Sequence, residues 1–446
     1  MIVRRFFWGA LAITFCGILG AFLLPVLAPN FPPESIAIPY RLIYISILLI
    51  IISWVWASFS IRGLRLIRVG RGFRQQLGDV FEEHFEITNT LPIIRLWLEV
   101  RDLSGLPGAN GSRVFSWIGA KETRTYSSYT LLTQRGEFEL GPTTLYSGDP
   151  FGLFAFSKTI ATANKVMVLP YFVELSTFPY PQGILTGGRV LRRRTPEVTP
   201  HAASVREYAP GDPLKRIHWP STARRDRFMV KEFDQDPQTE VWILLDSQKL
   251  VHYSQPDEVV APPADRFWLW KNRYQFRLPT DTYEYAISIT ASISKYFLHQ
   301  GLSVGLISYG QISMALSAER GQRQLSKIME NLAFLKPEGN TPLLGMVESQ
   351  GSHLPRGSIV VMVTPSSHET VALATDALYM RRMRSVVVLV DGASFGSGNG
   401  VESVEMMLRE RQVPVSVVRK GNDLKTTLER GFYSNGSRPT GATPES

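Results

Sequence analysis

Hydrophobic positions along this chain change their spacing three times. Near the N-terminus two uncharged apolar runs, Phe6–Ala28 and Leu42–Ile61, each reach the ~20 residues that carry a helix across the hydrocarbon core of a bilayer. The stretch between them, Pro29 to Arg41, is Pro-rich, carries Glu34 and reads as a short turn. From about Leu66 to Leu175 the pattern is strand-like. Glu83–Thr88 and Leu96–Val100 alternate or cluster β-formers, and Asn89-Thr90-Leu91-Pro92 breaks between them. Further strands are predicted at Arg113–Ile118, Thr123–Thr133, Glu137–Leu140 and Val166–Leu169, with Gly136, Gly141-Pro142 and Gly148-Asp149-Pro150 as turn residues. From about Thr239 short apolar strands (Val241–Leu245, Ser303–Ser308, Ile359–Val363, Val386–Val390, Val413–Val417) alternate with amphipathic stretches such as Tyr283–His299 and Arg323–Leu335, whose apolar residues recur at three and four.

These patterns predict a multi-domain chain. Residues 1–65 form a transmembrane helical hairpin, and 66–180 an antiparallel β-sandwich of the immunoglobulin-like kind, with no catalytic constellation in it. Residues 181–238 form a polar linker, and 239–433 a doubly wound α/β domain whose mainly parallel sheet is covered on both faces. The Gly/Ser/Pro/Thr-rich end, 434–446, reads as a disordered tail.

Charge adds an orientation. Arg4 and Arg5 precede the first run, and Arg62, Arg65, Arg68, Arg71 and Arg74 follow the second. Positive charge stays in the cytoplasm, so both ends of the hairpin and the bulk of the chain are expected on the cytoplasmic side of the inner (plasma) membrane. A cleaved signal peptide is the other reading of the first run. A second span follows at once, and no small-x-small cleavage site precedes a polar mature start. The net charge of +9 is accounted for by this topology and by anionic headgroups, so nucleic acid is not required as a partner. The single cysteine, Cys16, excludes a disulfide framework or a Cys-based zinc site within one chain.

The densest polar cluster runs from Arg206 to Arg224, around a rigid Pro210-Gly211-Asp212-Pro213 turn. As a functional surface it grips a carboxylate-bearing partner or a phosphate. As architecture, Asp212 caps its turn, the arginines pair with acids at a domain junction, and Trp219 buries its ring between domains. The architectural reading is favoured, because ion-pair clusters are more often structural than catalytic. His218 has no companion at metal-ligand spacing.

This stretch resembles the signature of the bacterial family called domain of unknown function 58. Its pattern runs Arg-Glu-Tyr-x-x-Gly-Asp, then Arg-x-Ile-His-Trp, then Ala-Arg. The matches fall at Arg206, Glu207, Tyr208, Gly211, Asp212, Arg216, Ile217, His218, Trp219, Ala223 and Arg224, and upstream at Arg135-Gly136, Leu140-Gly141-Pro142 and Asp149-Pro150-Phe151-Gly152-Leu153. The resemblance implies a C-terminal domain like the von Willebrand factor A fold, a MoxR-type AAA+ ATPase as partner, and no established enzymatic activity.

The A-type fold often holds Mg²⁺ on Asp-x-Ser-x-Ser, a Thr and a second Asp. Here Asp246 and Thr341 are the remnants of that set. Gln248 and Leu250 replace the serines, Lys249 adds positive charge, and Pro365 stands where the second Asp is expected. A degenerate site without a stable metal, and no cofactor, is the expectation. Residues Val251 to Thr280 read as an insertion. Its aromatic stretch, Phe267 to Tyr274, either meets headgroups or a partner, or packs as a lid on the sheet edge. Three functions remain open: a membrane-anchored interaction protein, a hydrolase using His218 with Asp212 or Ser221, and a self-assembling envelope scaffold that forms homo-oligomers. The first is preferred, since no Gly-x-Ser-x-Gly, phosphate-cradling or His-Glu-x-x-His motif is present.

Overall fold

A computed structural model describes residues 2–3, 5–27, 33–161, 164–179, 202–209, 217–233, 240–255, 276–397 and 400–432. Gly211, Asp212, Arg216, the aromatic stretch 267–274 and the tail 434–446 lie outside the described residues. The chain divides into two compact units, residues 1–170 with 258–277, and 171–257 with 278–446.

The first unit opens with α1 (Arg5–Leu27) and α2 (Pro33–Ser60). Their most apolar windows, Phe6–Leu23 and Ala37–Ser60, have mean hydropathy 2.0 and 2.3, and only 11% and 17% of each is buried. Helices this apolar and this bare are not core helices of a soluble fold; they are long and apolar enough to cross a membrane. Polar and small residues join them: Thr14 Oγ1 lies 2.6 Å from Ser46 Oγ, and a Cβ on Gly17 would stand 2.9 Å from Ile43. The expected turn over 29–41 is a correction, because α2 already begins at Pro33 and continues through Pro39 and Arg41. Proline suits the first helical position, and Pro39 faces Gly17 and Gly20 of α1.

Among the described residues, eleven strands complete this unit: β1 (Ile2–Val3), β2 (Leu64–Gly70), β3 (Arg74–Gln76), β4 (Val80–Asn89), β5 (Arg95–Asp102), β6 (Arg113–Ile118), β7 (Thr123–Leu131), β8 (Gly136–Glu139), β9 (Thr143–Gly148), β10 (Phe154–Ile160) and β11 (Lys165–Leu169). They form sheets ordered β1-β10-β9-β5-β6, β2-β4-β7 and β3-β11-β8. Alternation along β4 sends Phe81, Phe85 and Ile87 inward, where Leu98, Val100, Ile118 and Leu145 complete the core around the latter two. Charged residues also turn inward. Arg68 reaches Glu83 Oε1 at 2.7 Å and both oxygens of Asp102 at 2.8 and 3.1 Å, and lies over the Phe85 ring. This cluster ties the β2-β4-β7 sheet to β5, so Arg68 is not part of the surface charge that the sequence suggested.

In the second unit, β12 (Ala202–Glu207) and β13 (Met229–Phe233) form an antiparallel ribbon around a short helix, α3 (Trp219–Arg225). A six-stranded sheet follows, made of β14 (Glu240–Leu245), β15 (Ser303–Tyr309), β16 (Ser313–Glu319), β17 (Ile359–Thr364), β18 (Arg384–Val390) and β19 (Val415–Val418). Its order is β16-β15-β14-β17-β18-β19, parallel throughout except that β16 runs antiparallel to β15. On one face Leu244, Val360, Met362, Val387 and Leu389 pack against α6 (Leu343–Gln350), α7 (Thr370–Met380) and α8 (Glu402–Glu410). The alternate residues Ile243, Leu245, Val361 and Val363 are equally buried, so the other face is covered too, chiefly by α4 (Thr282–His299). Helix α4 is buried nearly all round because the segment 171–179 straps its outer side. Val173 N–H donates to Ser292 Oγ at 2.9 Å, and the Phe178 ring meets Phe297 at 5.5 Å. Helices α5 (Gly321–Phe334) and α9 (Leu424–Arg430) complete the unit.

Candidate functional site

The sheet order places a topological switch point between β14 and β17: the chain winds outward from β14 through β15, and in the opposite direction from β17 through β18. Ligands of open α/β sheets bind outside the carboxyl ends of the strands at such a point. Asp246 follows β14 there, and Thr364 ends β17. The Asp246 carboxyl is completely buried and bridges the two strands: Thr364 Oγ1–H donates to Oδ2 at 2.6 Å, and Gln248 N–H donates to Oδ1 at 3.0 Å. Burial pushes the Asp246 carboxyl above its ordinary value, while His252, Thr364 and the Gln248 N–H pull it back down.

His252 stands behind it. Nε2 lies 2.9 Å from the Asp246 carbonyl oxygen and Nδ1 3.2 Å from Thr282 Oγ1, and the ring meets Tyr283 edge-on at 4.8 Å. Burial lowers its pKa and Asp246 opposes that shift, and Nε2–H donates to the Asp246 carbonyl. Ser247 Oγ closes the set, 2.8 Å from Tyr283 OH and 2.6 Å from Ser308 Oγ. The loop carrying Thr341 runs alongside: Gly339 N–H donates to the Ser247 carbonyl at 3.0 Å, and Lys249 N–H to the Gly339 carbonyl at 2.8 Å. A side chain at Gly339 would collide with the Tyr309 carbonyl, which explains glycine there.

A hard cation at this edge needs open carboxylate and hydroxyl oxygens in a near-octahedral set. The residues present do not fit it. Both Asp246 oxygens accept protein hydrogen bonds, Thr364 aims its proton at the carboxylate, Gln248 contributes its backbone N–H, and Leu250 projects outward with 81% of its surface exposed. Sequence reasoning identified Asp246 and Thr341 but missed Thr364 and His252. It also missed Asp391 after β18, buried and 3.2 Å from Arg419 Nε. The available signal was a polar residue ending each apolar parallel strand, at the edge where such folds place their sites.

The signature segment builds a second surface. Arg206 pairs with Val230 and Glu207 with Met229 across the ribbon, and Ile217, Met229 and Val230 are buried beneath it. His218 caps α3: its N–H donates to the Met229 carbonyl at 2.7 Å, and its own carbonyl accepts from Ser221 and Thr222 N–H. Its Nδ1 lies 2.7 Å from Ser221 Oγ, and Thr222 Oγ1 accepts Met229 N–H at 3.0 Å. Tyr208 stacks edge-on with Phe228 at 6.2 Å, and Arg227 pairs loosely with Glu207 at 3.7 Å. Asp212 and Arg216 lie outside the described residues, and among those described no acid is bonded to His218. The expectation that Trp219 buries its ring is corrected: 64% of it is exposed. None of α3 is buried, since Ile217 before it and Met229 after it carry the apolar contact. Trp219, Phe228, Arg224, Arg225 and Arg227 therefore share an exposed basic and aromatic character.

Two membrane-length helices, a strand-rich unit, and an α/β unit entered through this ribbon define a multi-domain, membrane-associated class of protein. Residues 204–258 match the family model described as "Protein of unknown function DUF58". It is 22% identical over 401 residues to the uncharacterized protein YeaD of Bacillus subtilis (strain 168), across 86% of this chain and 90% of that one. Among solved structures, the CARDB domain of the PF1109 protein from Pyrococcus furiosus, in complex with di-metal ions, is 13% identical, covers 24% of this chain and 87% of its own, and has a TM-score of 0.17. The alkylpurine DNA glycosylase AlkC of Pseudomonas fluorescens is 9% identical over 36% of this chain and 45% of its own, with a TM-score of 0.15. Likenesses at that level define neither a fold nor a function.

Proposed function

We propose that the chain is a membrane-anchored, cytoplasm-facing interaction or assembly factor. Its α/β unit is of the von Willebrand factor A-like type with a degenerate metal site, and its partner is a MoxR-type AAA+ ATPase. The observation that carries the reading is the Asp246–Thr364 bond. The edge where such a domain would use an ion is tied shut by protein groups, which leaves surface recognition as its mode of action. The exposed Trp219, Phe228 and arginines supply a surface with the aromatic and Arg content of binding hot spots. The arginine distribution around the hairpin supports a cytoplasmic face. Pull-down of the full chain with the ATPase, with and without nucleotide, tests this. Capture that is weakened by Arg224→Glu/Arg225→Glu is expected. Absence of capture, or capture indifferent to those changes, refutes it.

A hydrolase is the second reading, favoured by the 2.7 Å His218–Ser221 contact. Loss of an activity in His218→Ala with the fold intact would support it over the first.

A further inference from the structure

We propose that the turn joining β9 to β10, Gly148–Phe154, is a third membrane-contacting element, with Phe151 entering the interfacial layer of the bilayer. The inference rests on the membrane anchoring argued above and concerns only the first unit.

Depth carries the argument. The helices run antiparallel, with Ser46 Oγ 3.2 Å from the Ala10 carbonyl, so the start of α1 lies level with residues of α2 just beyond Ile50. At that level the turn meets the helices. Phe7 and Phe154 rings are 5.2 Å apart, a Cβ on Gly152 would stand 3.5 Å from Phe6, and Leu153 and Phe154 cluster with Ala57, Leu49 and Ile50. Phe6 is where the apolar window of α1 begins, so this level is a bilayer boundary. Helix α2 continues to Ser60, ten residues and ~15 Å past Ile50. Its last turns, still within the apolar window Ala37–Ser60, run on against β9 and β10, so the turn sits beside the membrane helices rather than held away by a linker.

Its chemistry suits that position. Irregular backbone near hydrocarbon must satisfy its polar groups internally. Asp149, itself buried, accepts from Phe151 N–H at 2.8 Å, Leu153 N–H at 3.2 Å and Phe154 N–H at 2.6 Å. Asp149 N–H reaches the Phe154 carbonyl, Gly152 N–H the Asp149 carbonyl, and Pro150 has no N–H. Every backbone donor from 149 to 154 is thus used within the turn. The outer edge of β10 is covered in the same region by β1, which pairs Ile2 with Ala155 and Val3 with Phe154. What remains outward is apolar: Phe151 is 52% exposed at the tip, and Phe6 and Trp8 at the start of α1 and Trp54 on α2 are exposed aromatics near the same level.

The test uses the full chain with Cys16→Ser, reconstituted into vesicles that contain lipids spin-labelled at shallow or deep acyl positions. A fluorophore is placed in turn on Phe151→Cys, on Ile47→Cys in mid-span, and on Asn110→Cys, in the loop after the end of β5 opposite Arg95. Quenching at 47 mainly by the deep label, at 151 mainly by the shallow label, and none at 110 is the expected result. Quenching at 47 with position 151 as unquenched as 110 overturns the proposal and leaves the anchor standing. No quenching at 47 overturns the anchor, and the proposal with it.

Discussion

Replacing Thr364 with valine keeps the shape of the side chain and removes one hydroxyl from the switch point. Two bonds go with it: the donation to Asp246 Oδ2 at 2.6 Å, and the acceptance of Ser366 N–H at 3.0 Å. A hydrogen bond to a charged group is worth ~1.5–3 kcal/mol and a neutral one about 1 kcal/mol, so the loss is about 3 kcal/mol when Asp246 is ionised, and about 1–2 kcal/mol when it is neutral. The pH dependence has a definite sign. Burial raises the folded-state pKa of Asp246 above 3.8, so its favourable contribution is present below that value and fades as pH rises. The Thr364 bond opposes this rise, and removing it pushes the carboxyl further up. The penalty of Thr364→Val must therefore grow from pH 4 towards pH 8. Hydrogen exchange of the β14 and β17 peptides, measured on the full chain in detergent and corrected for intrinsic rates, reads that penalty directly. Opening roughly a hundredfold more frequent at pH 8 is expected, with a distinctly smaller change at low pH. Equal penalties at both pH values, or a loss below about 0.5 kcal/mol, would refute the claim that a buried carboxyl bridges the strands.

Other consequences can be measured independently. Arg68→Met strands Glu83, whose carboxyl burial already holds above its ordinary value, so the strand-rich unit should lose ~3–5 kcal/mol, more at pH 8 than at pH 5. Thermal melts followed by circular dichroism at the two pH values check it, and Arg68→Met/Glu83→Gln should recover part of the loss. Arg95 is fully buried and donates to the Phe59 and Arg62 carbonyls at 2.5 and 2.7 Å, which closes the C-terminal end of α2. Arg95→Met should fray that end by ~2 kcal/mol, seen as faster tryptic cleavage after Arg62. Titration of Mg²⁺ and Mn²⁺ by calorimetry should give no sub-millimolar binding that Asp246→Ala abolishes, because the carboxyl is already committed to Thr364 and Gln248.

Local patterns explain how much of this was legible. The hairpin needed only length and hydropathy. Strands β4 to β8 and β11 announced themselves by alternation and Gly/Pro breaks, and β14, β15, β17, β18 and β19 by apolar runs. Strand β2 was missed: Leu64–Gly70 carries arginines that read as topogenic charge, though Arg65 and Arg68 alternate between exposed and buried as a strand requires. Strand β9, Thr143–Gly148, was hidden because its inward residues are threonine and serine as well as leucine.

What the sequence by itself determined is what depends on neighbours in the chain: two membrane-length apolar helices, a strand-rich segment, an alternating α/β segment, and the polar segment that matches a family model. What tertiary structure alone decided is which polar groups meet. Thr364 comes to Asp246 from 118 positions away, and Asp102 to Arg68 from 34. A buried carboxyl or guanidinium is stable only when a partner is brought within hydrogen-bonding distance, and that partner is chosen by sheet order and layer packing rather than by spacing along the chain.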